Sequence, residues 1–359
     1  MTEDFEALRR LSADLKKAAR ELTSDDARWL VDEYYTIQDA RIRSHAQRRH
    51  SEDEAEPHAL IAWIGDHMRR YENDIKLALG AFAESYRVGK WLQSIYGIGP
   101  VLSAAVLCHL DIRHAPTVGH WWSFAGLDPN RHWISRKEAD VIVRDVLKAE
   151  DVKAPTLQTV GSVAIQTGQK PDNLLRIATT KPDKTEKELS AKTLSAAVSK
   201  RPWNAKLKAV LVYRMGECFV KFQNRADCQY GKLLAFKKAE LTAQNEAGKF
   251  KDFADRELKE RGASMGHTER IKHWREGKLA PGHIHDRARR WTIKLFMAHI
   301  HRVMHLDFYG KEPPKPYVLT LPNHTHEIVC DIPFDRFSEG KALKELYGTD
   351  QMASTVSQV

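Results

Sequence analysis

Residues 91–112 read Trp-Leu-Gln-Ser-Ile-Tyr-Gly-Ile-Gly-Pro-Val-Leu-Ser-Ala-Ala-Val-Leu-Cys-His-Leu-Asp-Ile. At the centre, Gly97-Ile98-Gly99-Pro100 separates two apolar stretches of helical character. Glycine at 97 and 99 permits positive φ and a tight turn. Proline at 100 suits the first turn of a second helix, where its missing N–H costs nothing. The pattern predicts a helix-hairpin-helix. Such a turn leaves backbone amides bare at a helix N-terminus, where the dipole also favours an anion. Gly97, Gly99, Pro100 and Val101 are therefore candidate phosphate contacts that hold a backbone without reading bases. The same spacing also suits a plain turn between two core helices.

Upstream, residues 1–84 read as a helical spacer. Leu8, Leu11, Leu15, Ala18 and Leu22 recur at helical spacing, and Thr23-Ser24-Asp25-Asp26 caps a second helix through Trp29, Leu30, Tyr34 and Ile37. A polar break at 50–57 precedes a third amphipathic helix from about Ala59 to Phe82. Long helices ahead of a hairpin fit a coiled coil that pairs two copies, or a simple bundle.

The hairpin unit spans 85–133, with a short helix from Pro116 or Thr117 that Gly126 ends and Pro129 blocks. Residues 134–199 differ in character. They are polar and start at a capping box, Ser135-Arg136-Lys137-Glu138. Short helices are expected over 156–165, 172–177 and 185–189. This is the proportion of a small inserted three-helix module, of which a helix-turn-helix is one form.

Residues 200–316 return to helix, over about 200–223, 232–260 and 283–304, until Pro313-Pro314-Lys315-Pro316. A tail, 317–359, has β-like character as far as Pro333 and is expected to fray after Gly340. The fold class is thus mainly α, with a short β-like C-terminal tail.

Charge points to a polyanion. The chain has 359 residues, a formal net charge of +9 and an isoelectric point near 9.2. Residues 1–90 hold 15 Lys+Arg against 18 Asp+Glu, whereas residues 200–310 hold 24 against 12. The second segment alone exceeds the whole-chain charge, as suits a nucleic-acid partner. Arg201, Trp203, Asn204, Lys206, Lys208, Arg287, Arg289 and Arg290 are the candidate contacts within it. DNA is the expected partner, with structured RNA an alternative. Four cysteines without a C-x-x-C pair read as reduced thiols, and no signal sequence or membrane span is visible, so a cytoplasmic protein is expected.

Three segments taken in order carry a resemblance: Gly97 to Leu107, Phe124-Ala125-Gly126-Leu127-Asp128-Pro129, and Pro202-Trp203-Asn204-Ala205-Lys206-Leu207-Lys208. They resemble the C-terminal domain of insertion-sequence transposases that carry an N-terminal DEDD, RuvC-like nuclease domain and are guided by a bridge RNA. The match covers about half the chain, with helices 59–90 similar to that group's coiled-coil spacer. The resemblance implies DNA recombination and transposition, and a serine nucleophile a little after the A-G-L-x-P segment. Here the nearest serine is Ser135, which lacks the following glycine and equally suits a helix N-cap. A β-rich nuclease domain is not seen; residues 1–90 read helical.

Histidines suggest a further chemistry. His301 and His305 share a helix face, and His324 and His326 form an H-x-H; both are weak metal candidates. Neither set is completed by cysteines or suitably spaced carboxylates, so no metal and no cofactor is expected. A helix-hairpin-helix glycosylase would need an aspartate where Gly119-His120-Trp121 stands. The reading that emerges is a non-enzymatic nucleic-acid-binding protein. An active strand-transfer enzyme, using Ser135 or a partner nuclease, and an assembly protein with a basic face are the alternatives.

Overall fold

Thr23 and Asp26 bind each other reciprocally, the Asp26 amide donating to Thr23 Oγ1 at 3.2 Å and the Thr23 amide to Asp26 Oδ2 at 3.1 Å. That cap starts α1 (Ser24–Ser51), which pairs with α2 (Ala59–Glu84). The computed structural model describes residues 14–51, 59–129, 132–181, 183–316, 319 and 327–348. Leu8, Leu11, His324 and His326 lie outside them. The architecture is mainly α. Among the described residues there is no β-strand, only two isolated bridges, Tyr86–Lys341 and Thr180–Glu186.

The chain divides into two compact units, 1–122 with 206–359, and 123–205. In the first, α3 (Arg87–Ser94) and α4 (Pro100–His109) form the expected helical hairpin. Every residue of α4 from Val101 to His109 is buried. Its neighbours are α1, α2, α3 and residues 209–215, so the spacer helices and a downstream segment cover the hairpin. A half-turn at 112–114 leads to α5 (Val118–Phe124).

Downstream, α10 (Ala205–Lys208) runs through a π-helical segment, Ala209–Met215, into α11 (Gly216–Lys221). The helix expected over 232–260 is two helices, α12 (Gln229–Glu246) and α13 (Lys251–Arg261). Gly248, at φ +79°, separates them, the usual role of glycine just past a helix end. After α14 (Glu269–Arg275) comes α15 (Pro281–Tyr309), which packs on α12, α11, α3 and the π segment.

The tail departs from expectation. Residues 327–333 form no strand. Over 341–348 the chain is held in place: Lys341 bridges Tyr86, and α16 (Leu343–Tyr347) docks with Leu343 fully buried. Asp307 on α15 holds this segment, accepting from the Leu343 amide at 2.7 Å while paired with Arg87 at 2.9 Å. The Tyr347 hydroxyl donates to the Leu107 and Leu110 carbonyls at 2.7 and 3.0 Å. Trp91 Nε1 donates to the Ile332 carbonyl at 2.9 Å. The tail is therefore strapped to both hairpin helices.

The second unit holds α6 (Arg136–Ala149), α7 (Leu157–Thr167), α8 (Pro171–Thr179) and α9 (Ala191–Val198) around its own core. Ala139, Val143, Val160, Val163, Leu174, Ala178, Leu194 and Val198 are its centre. Residues 185–189 are not a helix. Asp183 Oδ1 accepts from both the amide and the hydroxyl of Thr185, at 3.0 and 2.6 Å, and this local turn wins over helix. The last helix starts instead at Ser190, whose hydroxyl accepts from the Thr193 amide.

Candidate nucleic-acid interface

The turn between α3 and α4 separates its two glycines by conformation. Gly97 has φ +93°, as the spacing predicts. Gly99 does not: it is an extended N-cap with φ −95° and ψ −177°. Their surroundings differ too. A Cβ on Gly97 would lie 3.3 Å from the Phe222 ring, whereas one on Gly99 would meet nothing within 4 Å. Pro100 packs on Gly80 of α2, and its place at the helix start removes one amide from the unpaired first turn. Val101 is buried at the root of that turn.

Two exposed cations that sequence reasoning did not single out flank the turn. Tyr96 packs edge-on to Phe222 at 5.0 Å, and the Arg225 guanidinium lies 5.3 Å from the Tyr96 ring centre. Lys221 stands over Phe222 at 5.6 Å. Only the general basic character of 200–310 pointed to them, because the approach of Phe222 to Gly97 is a long-range contact.

The other predicted contacts fall differently. In the second unit, Trp203 lies on Gly126, whose φ is +67°; a Cβ there would sit 2.7 Å from the indole. The Asn204 amide donates to the Phe124 carbonyl at 2.8 Å. The second and third motif segments thus close on each other. Arg201 is exposed and lies over Trp133, whose Nε1 donates to the Ser199 carbonyl at 2.8 Å. In the first unit, Lys206 is exposed and ion-paired with Asp32, and Lys208 is half-buried. On α15, Arg287 covers Phe250 at 4.8 Å and Arg290 is half-buried. Arg289 corrects the expectation of a surface contact. It is buried, its stem lies on Gly216, and its guanidinium is held by Glu217 and Asp286.

Ser135 is a helix cap. Its hydroxyl accepts from the Glu138 amide at 3.2 Å, and the Glu138 carboxylate reaches back to the Ser135 amide at 3.4 Å. His299, His301 and His305 face backbone carbonyls. His301 Nε2 faces the Ala115 carbonyl at 2.8 Å, and His305 Nδ1 the Lys311 carbonyl at 2.7 Å. A carbonyl only accepts, so those nitrogens carry the protons. His299 donates to the Ile328 carbonyl and accepts from the Tyr230 hydroxyl, each at 2.7 Å. Burial lowers the pKa of His299 and His301 and keeps both neutral. Among the described residues no group of three or more His, Cys, Asp or Glu is placed to hold a metal ion.

With the hairpin and its flanking segments placed, the comparison with known families becomes specific. Residues 89–138 match the transposase IS116/IS110/IS902 family. The chain is transposase-like. The transposase-like segment takes in the hairpin, the Ala125-Gly126-Leu127 turn and the Ser135 cap. Nothing among curated proteins or solved structures matches the chain. Among the described residues no helix is long and apolar enough to cross a membrane.

Proposed function

We propose that this transposase-like protein binds nucleic acid, and that it holds a phosphate of the backbone at the turn formed by Gly97, Gly99, Pro100 and Val101. One observation carries the reading. The Gly99 Cα faces open space at the start of a ten-residue helix. A phosphate oxygen approaches such an N-terminus to hydrogen-bond distance only where no side chain stands in the way. Lys221 and Arg225 add positive charge beside the turn, and Arg201, Lys206, Lys208, Arg287 and Arg290 extend the basic character. Duplex DNA is the expected ligand and structured RNA the competitor.

The segment 134–199 is an insertion within the transposase-like domain in this reading. Its support is the closure of Phe124-Ala125-Gly126 on Trp203-Asn204, which brings the two ends of the intervening chain together. The N-terminal helices pair two copies, a reading supported by Trp29 and Trp63, which stand 61% and 57% exposed on α1 and α2. Light scattering on the full chain tests that pairing, and a monomeric mass removes it.

The central test is fluorescence anisotropy of the full chain with labelled duplex DNA and labelled RNA hairpins. Binding that Gly99→Val weakens about tenfold or more, with an unchanged circular dichroism spectrum, is the expected result. Undiminished binding by Gly99→Val reduces the hairpin to a core turn.

A further inference from the structure

We infer that the second unit reads base sequence in duplex DNA, through the outward face of α8 and the hairpin that follows it. This rests on the nucleic-acid reading above only for the class of partner; the residues, and the kind of recognition, are different.

The first support is topological. α7 and α8 pack on each other and are joined by Gly168, Gln169 and Lys170, with Gly168 left-handed at φ +65°. A helix pair joined by a three-residue, glycine-containing turn is the frame that presents its second helix to a major groove. Leu174 and Ala178 anchor α8 in the core, and α9 supports it from the inner side. The nine residues of α8 span about 13 Å, which fits a groove about 12 Å wide.

The second support is chemical. The outward face of α8 carries Asp172, Asn173 and Arg176, all exposed and spaced three or four residues apart around Arg176. A carboxylate accepts from cytosine N4, an amide pairs with adenine N6 and N7, and a guanidinium donates to guanine O6 and N7. The Arg176 Nη2 donates to Asn173 Oδ1 at 2.8 Å, which orients the two side chains together.

The third support is the segment immediately after α8. Thr179 to Lys187 doubles back as a small hairpin. The Lys187 amide donates to the Thr179 carbonyl at 2.7 Å, and the Lys181 amide to the Thr185 carbonyl at 2.8 Å. Lys184 at its tip is left-handed, φ +65°, an uncommon conformation for a residue with a side chain. Lys181, Asp183, Lys184 and Glu186 are all exposed, and Asp183 turns its carboxylate onto Thr185, so the two lysines are the charges left to face a partner. Neither lysine is held in an ion pair among the described residues. A hairpin with two exposed lysines at the C-terminal end of a recognition helix lies where the flanking phosphates run.

The experiment is selection by the full chain from a randomised duplex library, followed by titration of the selected and an unrelated duplex at several salt concentrations. An enriched sequence is expected. Combined Asp172→Ala, Asn173→Ala and Arg176→Ala should lower the preference for it about tenfold or more, while affinity for the unrelated duplex stays within about twofold. Lys181→Glu with Lys184→Glu should weaken both duplexes alike and flatten the salt dependence by about two charges. All five residues are exposed, so circular dichroism should be unchanged. No enriched sequence, or the same preference in the triple variant, overturns this assignment and leaves the Gly99 reading standing. No binding to any duplex, or binding to RNA alone, also overturns it. Preference retained by Gly99→Val with unchanged affinity overturns the turn reading instead.

Discussion

Gly97 and Gly99 stand two residues apart and answer differently to the same substitution. Gly97→Val places a β-branched side chain at φ +93° and against Phe222. The strain is about 1–3 kcal/mol, and a fall in the urea midpoint checks it. Gly99→Val adds a side chain to an extended residue in open space, so stability should hold while phosphate approach is lost. The pair separates folding from binding within one turn. Two histidines set the pH response. Burial, then the Arg28 charge, lowers the His109 pKa to about 4; burial, then Arg287 and Arg290, does the same to His283. From about pH 6.5 down to 4 the unfolded chain takes up protons that the folded chain refuses. Stability should therefore be full above pH 6.5 and fall as the solution is acidified. A urea midpoint unchanged between pH 7 and pH 5 contradicts this. At this scale the residue types were legible and their directions were not. Arg289 looks identical to Arg287 and Arg290 in sequence, and only the missing side chain of Gly216 lets it turn inward.

Among the elements, α1 and α6 were legible from the caps written beside them, whereas α9, capped by Ser190, was not. The reciprocal Thr23–Asp26 pair and the Ser135–Glu138 box mark the starts of α1 and α6 where the sequence places them. Ser135→Ala should cost about 1 kcal/mol, seen as a lower melting temperature, with nucleic-acid affinity unchanged. What local pattern does not encode is the docking of one element on a distant one. The tail reads as a frayed end because the groups that hold it, Arg87, Leu107, Leu110 and Asp307, are elsewhere in the chain. Leu343→Ala should lower stability by about 2–5 kcal/mol. Tyr347→Phe, which removes one donor to two carbonyls, should lower it by about 0.5–1.5 kcal/mol. Hydrogen exchange should report both losses first in α3 and α4. Exchange unchanged there means the strap does not support the hairpin. The π-helical segment was equally hidden. It carries Arg214 onto Tyr35 at 4.4 Å and Tyr213 beneath Arg289 at 5.2 Å, contacts between residues far apart in the sequence.

For the molecule as a whole, the excess charge of residues 200–310 was legible by counting, but its distribution was not. Part of it is internal, as at Arg289, and part is paired, as at Lys206 with Asp32. About five phosphates neutralised on duplex DNA give a log–log salt slope of roughly −4 to −5, and titration from low to moderate salt checks it. A flat response removes the polyelectrolyte account. Replacing residues 134–199 by a short Gly/Ser linker should leave the Gly126–Trp203 closure in place and keep backbone binding within about threefold. An unfolded product shows that the segment is part of a common core.

The strap also has a consequence for how the chain is made. The unit at 123–205 is continuous, so every partner in its core leaves the ribosome within one short stretch. The hairpin helices are synthesised before it, yet Trp91 waits 241 residues for the carbonyl of Ile332, and Leu107 waits 240 for Tyr347. Until residues 209–215 are made, the valines, leucines and alanines of α4 have only the earlier helices to cover them, and the tail is added last. The second unit should become protease-resistant early on a stalled nascent chain. The hairpin should remain cleavable, and a client for chaperones, until translation has passed residue 347.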